Sequence, residues 1–441
     1  MAPSRLESLA TTIAESTQEL RTLLAQHGLE EPSFEADYLP SIALPPAADE
    51  ARNALLHAAC EIQDLLLDPA DLLRSYAAHA HLVSLHFIQQ FNIAKLVPIG
   101  GGTTTFAVLA EQCGLPEADV RRLLRHAMTI RVFDEPHEDE VVHTRASMLI
   151  RDEGIHGWIG STCQNMWPGA TRTIESLKRF PGSSDPSQSV SLALYASLNE
   201  DWRMGKVHRG HQAKLYIFIR FALANNNLTL YEALAQSPDR AATFAASKRG
   251  YTSGSAFHPA AFLEAYSPFL TSVAPGSLFV DVGGAHGAIA LAAATIYPQL
   301  RYIVQDLPEV IIRAPQDQSS DKGVEFLVHD FFTPQPLRDV AVFYLRHILH
   351  NWGDAHAIKI LKGLIPGMRQ GTRVLIHEHA LEHRKQPMWK RRLESAMDLN
   401  MMVLLNARER DETAWRALLH SADPRFTWVG VRRPGEVHWR L

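Results

Sequence analysis

Apolar side chains recur at helical spacing over residues 4–27, 50–67 and 70–98, with polar residues between them. That spacing predicts amphipathic helices whose apolar faces need partners. From Thr103 to Ser147 the segments shorten: TTTFAVLAEQCGLPEADVRRLLRHAMTIRVFDEP reads as a helix, a Gly114-Leu115-Pro116 turn and a second helix, and EDEVVHTRAS as a hairpin with an acidic tip. The succession predicts a winged helix. Past Ser277 the pattern becomes strand and helix in alternation. SLFVDVG, RYIVQDL, VEFLVHD, DVAVFYLRHIL and TRVLIHEHA are the strands, with AIALAAATIYP, PEVIIRA and DAHAIKILKGLIPGM as helices between them. Short β-branched runs alternating with helices predict an α/β fold, a doubly wound and mostly parallel sheet that binds ligands at the carboxyl ends of its strands. A Pro/Gly/Ser-rich stretch around 181–192 marks a boundary. The expected division is therefore a helical domain over 1–185 and an α/β domain over 186–441.

Composition narrows this picture. With 441 residues, 46% of them hydrophobic and 21% charged, the chain has the make-up of a globular protein that buries a sizeable core. Its 43 basic and 48 acidic side chains leave a formal charge of −5. Phosphate-backbone affinity needs an electropositive excess, so nucleic acid is not expected as a partner. Within the winged helix, Arg121, Arg122, Arg125 and Arg131 offer a basic face, yet Glu111, Glu117, Asp119, Asp134, Glu135, Glu138, Asp139 and Glu140 surround it. This favours a structural or dimerisation module over a DNA reader. Three scattered cysteines, Cys60, Cys113 and Cys163, form no CxxC pair, which fits a reducing compartment. The amphipathic N-terminus lacks the apolar core of a secretory signal, and the longest apolar run, GAIALAAATIY at 287–297, is too short to span a bilayer. A soluble, cytoplasmic protein is expected.

The chemistry concentrates after the boundary. LFVDVGGAHG runs an apolar strand into a glycine turn and a helix; glycines admit a close ligand, and a helix N-terminus offers free N–H groups. The turn is not the GxGxxG of a dinucleotide site. Asp281, Gly283, Gly284 and Gly287 fit the DxGxGxG-like turn that binds S-adenosylmethionine better, with Ala285 in place of the middle glycine. A turn kept tight by glycine without any ligand is the plainer alternative. Asp306 closes the next strand 25 residues beyond Asp281. There a carboxylate can accept both hydrogen bonds of a ribose diol, or simply cap the helix that follows Leu307-Pro308; its place after the glycine turn favours the ribose.

Taken together, DVGGAHG, QDLPEV, HDFF, FYLRHILHNWGD and NARERDETAW resemble the fungal secondary-metabolite O-methyltransferases, relatives of the plant caffeic-acid type. The resemblance extends over most of the chain, through FDEP…HTRAS and GWIGSTCQNMWPGATRTIESLKRFPGS. It implies a class I methyltransferase: a C-terminal Rossmann-like doubly wound sheet that binds S-adenosylmethionine, an N-terminal, mostly helical winged-helix dimerisation domain, a homodimer, and methyl transfer without a metal. Matched motif by motif, His350 is similar to the family's general base. Glu378 and Glu409 are similar to the two carboxylates that flank and orient it. Asp330-Phe331 resembles the pair that meets the adenine, and Arg346 a basic cofactor contact. Trp167, Trp352, Met401, Met402 and Asn406 are candidates for the substrate pocket, although Met and Trp at such positions are as often plain core. His377 and His379 flank Glu378 as an HxH pair that would share one strand face opposite it, but no third ligand has suitable spacing and no metal is expected.

Without the motif His350 would not stand out among 22 histidines, and its plainer role is to cap the helix entering at Asn351-Trp352, but the proton transfer itself can be weighed apart from the resemblance. A phenol near pKa 10 faces an imidazole near 6.5, a gap of about 3.5 units or roughly 5 kcal/mol, so deprotonation must accompany attack, and a carboxylate on the imidazole narrows the gap. Three features depart from the family: Ala285, Asn351 where an aspartate is common after the histidine, and about thirty extra residues at roughly 190–220 that include the basic stretch RMGKVHRGHQAK. That stretch reads as a lid, a surface loop or retained intron sequence. The expected activity is O-methylation of a hydroxyl on a small aromatic or polyketide-derived molecule. The alternative is an enzyme of the same fold that binds the cofactor and catalyses a pericyclic reaction or dehydration; a DNA-binding regulator is opposed by the charge.

Overall fold

The computed structural model describes residues 3–38, 44–76, 79–179, 234, 236–251, 259–312, 314, 323–382 and 387–432. The 185/186 boundary and the 190–220 stretch lie outside them. The chain forms two compact units: Met1–Trp167 with Leu234–Gly254 and Lys385–Leu393, and the remainder. The first unit is thus discontinuous in sequence, gathering two later segments that a linear division at one boundary does not separate.

In the first unit, the helix Arg5–Gln26 starts from a Ser4 and Glu7 capping box and packs through Leu20 and Leu24 on Ala48 and Ala51 of the helix Pro46–Leu66. The continuous helix expected over 70–98 is instead three pieces, Pro69–Ser75, His79–Gln90 and Ile93–Leu96. Asn92 breaks the run between the last two by adopting a left-handed φ of 52°. The winged-helix motif forms as the pattern predicts. Strand β1 (Thr104–Thr105) leads into the helix Phe106–Cys113, Gly114 ends it at φ 66°, and the helix Glu117–Met128 follows; β2 (Glu140–Val141) returns antiparallel to β1. Phe106, Leu109, Val120, Leu124, Phe133 and Val141 share its core. Arg121 pairs with Glu117 and Asp139, Arg125 with Glu135 at 2.7 Å, and both guanidinium groups lie over the Phe106 ring. Their charge is spent inside the module. Close packing of the helices Glu153–Ser161 and Pro238–Tyr251 rests on Gly157, where a Cβ would fall 2.6 Å from that of Ala246.

The second unit carries the parallel sheet. Strands β3 (Leu278–Val282), β4 (Arg301–Asp306), β5 (Val324–Val328), β6 (Val340–Arg346) and β7 (Met368–His377) are ordered β5-β4-β3-β6-β7, and every pairing is parallel. Both faces are covered, so the strands read as nearly continuous apolar runs. Phe279, Tyr302, Val304 and Tyr344 share one core with Phe262 and Leu263 of the helix Pro259–Ser272 and with Ile289 and Ala293 of the helix Ala288–Ile296. Val280, Val282, Phe343 and Leu345 meet the helices Asp354–Leu364 and Glu412–Ala422. A short parallel ladder joins β8 (Ala380–Leu381) to β9 (Arg410–Asp411). The order reverses at β3, whose neighbours are β4 and β6. Open α/β sheets bind their ligands at such a switch point, beyond the carboxyl ends.

Candidate active site

Two turns leave the sheet at this point, one after β3 and one after β6. The first is made mostly of backbone. Gly283 and Gly284 donate their N–H groups to the Gln305 carbonyl at 2.7 and 3.2 Å. Gly283 and Gly287 have φ of 69° and 73°, and a Cβ on Gly284 would lie 2.5 Å from the Asp281 carboxyl carbon. Alanine at 285 follows the glycine path at φ 50°, a left-handed conformation that costs a residue with a Cβ about 1–2 kcal/mol. Asp306 braces this turn from β4: Oδ2 accepts the Ala285 N–H at 2.9 Å and Oδ1 accepts the Leu307 N–H at 2.8 Å. It thus ties the glycine turn to its own strand end without capping the helix Pro308–Ile311, whose N-cap Leu307 has no side-chain cap, and each oxygen keeps lone pairs for a further donor. Asp281 lies beneath, 3% exposed; burial pushes its carboxyl up to about 7, a rise that Arg346 opposes and Asp306 reinforces. Asp330 is exposed and accepts the Phe332 N–H at 2.9 Å, while the Phe331 ring approaches Gly283.

The second turn is made of side chains from elsewhere in the chain. His350 lies on a single 3-10 turn, Leu349–Asn351, and is 5% exposed. Its Nδ1 is 2.8 Å from Oε1 of the buried Glu409. With Nδ1–H donated to that carboxylate, Nε2 is left as the acceptor. Glu378 holds a different part of the turn. Its Oε1 accepts the N–H groups of Ile348 and Leu349 at 3.0 and 2.6 Å, and the pair of carboxylates is not a symmetric cradle for the ring. Burial pushes the Glu378 carboxyl up to about 7, with His350 opposing and Glu409 adding to the shift. The β8–β9 ladder brings the two carboxylates to the same place, since Glu378 precedes β8 and Glu409 precedes β9. Asn351, at the position of the family's aspartate, donates Nδ2–H to the His347 carbonyl at 2.7 Å and closes the turn.

Sequence reasoning passed over Arg410. Its side chain is buried and donates to the carbonyls of Leu349 at 3.0 Å and Trp352 at 2.8 Å and to the Asp354 carboxylate at 2.8 Å, above the Trp415 ring. The signal was present in HNWGD and RERDETAW, which supply Trp352, Asp354, Arg410 and Trp415, but nothing in either run shows that they meet.

His377 is tied by Nδ1 to the Tyr344 hydroxyl at 2.7 Å and packs against the Phe262 ring. Its imidazole is lowered to about 4 by burial and by Arg346, and those of His347 and His379 are lowered by burial as well. β7 ends at His377, so His379 does not share a strand face with it. No three His, Cys, Asp or Glu side chains converge as a metal site among the described residues. Met401 is buried in the helix Met388–Leu405, Met402 is half-buried beside it, and Asn406 follows at φ 50°. Trp352 packs edge-on against Phe332 at 4.7 Å between ring centroids. Trp167 belongs to the first unit and is 42% exposed. No described helix is long and apolar enough to cross a membrane.

Comparison with known proteins bears on this site. A family model described as an O-methyltransferase domain matches residues 209–424, beginning within the stretch read as extra to the family. Chlorophenol O-methyltransferase of Trichoderma longibrachiatum is 32% identical over 442 residues, covering 98% of this chain and 88% of that protein. The crystal structure of OxaC with SAH and oxaline has a TM-score of 0.67 at 22% identity, covering 94% of both chains. A structure described as a pericyclic reaction enzyme has a TM-score of 0.68 at 21% identity, again covering 94% of each chain.

Proposed function

This chain belongs to the O-methyltransferase family, and on that premise we propose that it transfers a methyl group from S-adenosylmethionine to a hydroxyl of a small aromatic or polyketide-derived metabolite, with His350 as the general base. The residues present suit the cofactor: a glycine turn that a Cβ would obstruct, and a half-buried Asp306 whose oxygens retain acceptor capacity toward a ribose. Asp281, Gly283, Gly284 and Gly287 form that turn, with Asp330, Phe331 and Arg346 as the further cofactor-facing residues. When bound, the sulfonium supplies an electrophilic methyl group and a nearby positive charge.

The observation that carries the reading is the buried His350–Glu409 pair. In this mechanism Nε2 takes the substrate's hydroxyl proton as the oxygen attacks, and Glu409 holds the tautomer and stabilises the imidazolium that results. Glu378 fixes the backbone that leads into His350. The rest of the task is holding the acceptor hydroxyl in line with the methyl group and against Nε2. Met401, Met402, Trp352 and Asn406 are our candidates for the side chains that line the acceptor's pocket, and a homodimer through the N-terminal domain is part of the same proposal.

The likeness to a pericyclic reaction enzyme keeps a second reading in view, in which the cofactor is bound but not consumed. An oriented base serves methyl transfer and dehydration but is not needed for a pericyclic rearrangement, so the His350–Glu409 pair weighs against the pericyclic form of the second reading, and product analysis decides the dehydration. Incubation with S-adenosylmethionine and a panel of phenols, polyketide phenols and pyridones separates the two. Methyl transfer yields S-adenosylhomocysteine and a substrate heavier by one methyl group. Intact cofactor beside a dehydrated or isomerised substrate would refute it.

A further inference from the structure

We propose that Arg410 is the positioning residue for His350, an inference that rests on the reading of His350 as the base. Its guanidinium touches the turn on both sides of the histidine. Nη1 donates to the Leu349 carbonyl at 3.0 Å, which belongs to the peptide bond leading into His350; Nη2 donates to the Trp352 carbonyl at 2.8 Å, two residues beyond it. Nε and Nη2 close on Asp354 Oδ1 at 3.1 and 2.8 Å, at the start of the next helix. The Trp415 ring lies under the guanidinium, 5.2 Å from its carbon. Fixing the peptide plane before His350 fixes the N–Cα bond about which its side chain swings.

The neighbouring residue in sequence holds the ring itself. Glu409 Oε1 meets His350 Nδ1, and the Glu409 N–H is anchored on Asp398 Oδ1 at 2.8 Å. Adjacent residues therefore set the imidazole and the turn that bears it from one short piece of backbone, and both references move together. Glu378 completes the frame by accepting the N–H groups of Ile348 and Leu349. Side chains thus reinforce a turn that also carries its own backbone bonds, Asn351 N–H to the Ile348 carbonyl and Trp352 N–H to the Leu349 carbonyl, with Arg410 on the Leu349 and Trp352 carbonyls. A lysine keeps the charge and an ion pair with Asp354 but lacks the planar fork that reaches two carbonyls and a carboxylate at once.

The test is Arg410→Lys in the full-length protein, with Asp354→Asn as a milder variant that keeps the arginine and loosens its anchor. Cofactor dissociation constants within about threefold of wild type establish a folded site. We expect kcat to fall by about 100-fold in Arg410→Lys, the scale of a misplaced catalytic group, with acceptor KM little changed. The acid limb of the kcat profile should move to lower pH, because a loosened contact with Glu409 no longer favours the imidazolium. A purely structural role lowers the melting temperature and leaves that limb in place. The imidazole spectrum gives a readout that needs no turnover: the hydrogen-bonded Nδ1–H signal absent from His350→Ala should be present in wild type and lost in Arg410→Lys. An unmoved limb, near-normal kcat and a retained signal in folded Arg410→Lys would overturn the proposal. Should that variant fail to fold, the same three results in Asp354→Asn would overturn it. If His350→Ala itself still transfers methyl groups, the base assignment fails instead, and the Nδ1–H signal decides separately whether Arg410 positions the ring.

Discussion

The turn after β3 and the turn after β6 leave adjacent strands at the same end of the sheet, and each forces a residue with a side chain into a left-handed conformation, Ala285 at φ 50° and His347 at φ 53°. They are stabilised in opposite ways. The glycine turn is local: two N–H groups on one carbonyl, one carboxylate 21 positions away and no room for a Cβ at Gly284. The histidine turn is held by Glu378, Glu409 and Arg410, whose contacts span 29 to 61 residues. A cradle for a constant ligand can be built from backbone. A base that must present one nitrogen in one direction needs side chains that can be aimed.

Substitutions should therefore divide cleanly between the two. The largest effect is expected for His350→Ala, which lowers kcat by about 10²–10⁴-fold and leaves cofactor affinity unchanged. Weakened cofactor binding in that variant would break the division. Next comes Gly284→Ala, whose Cβ must displace the Asp281 carboxyl. Calorimetry should find cofactor affinity about tenfold weaker and denaturation a loss of about 1–3 kcal/mol, with kcat at saturating cofactor within a few-fold of wild type.

A smaller effect is expected at Asp281. Its folded pKa is raised from 3.8 to about 7, so the native state binds the extra proton between those values. That contribution to stability is full below the unfolded pKa and is lost as pH rises through about 7. Urea midpoints of Asp281→Asn should decline less between pH 5 and 8 than those of wild type; parallel curves would show that the carboxyl does not titrate there. The smallest change is Ala285→Gly. Relief of the left-handed strain outweighs the added freedom of the unfolded chain, and thermal unfolding should report a gain of about 1 kcal/mol or less.

The same contrast explains what could be read from the chain. Strand and helix alternation past Ser277 is a local pattern, and the five parallel strands follow it closely because buried β-branched runs have few alternatives. The glycine turn is also local, and Asp281, Gly283, Gly284 and Gly287 were readable in a single run of seven residues. Over 70–98 the apolar spacing continues through Asn92, and a left-handed turn there leaves no mark in the spacing. Arg410 was hidden for a related reason. Beside Glu409 in a charged run it looks like a solvated side chain, and only the β8–β9 ladder turns it inward against Trp415 and the histidine turn. His377 and His379 show the converse, a local pattern with metal-like spacing in which Tyr344 takes one histidine and the strand ends before the other.

The most direct test of methyl transfer from a held base is the product analysis repeated with His350→Ala beside wild type, on whichever phenol of the panel wild type consumes. Wild type should yield S-adenosylhomocysteine and methylated product, and His350→Ala an intact cofactor still bound with wild-type affinity. Product formed at a near-normal rate by His350→Ala, or a substrate that is dehydrated or isomerised while wild type leaves the cofactor whole, would contradict it.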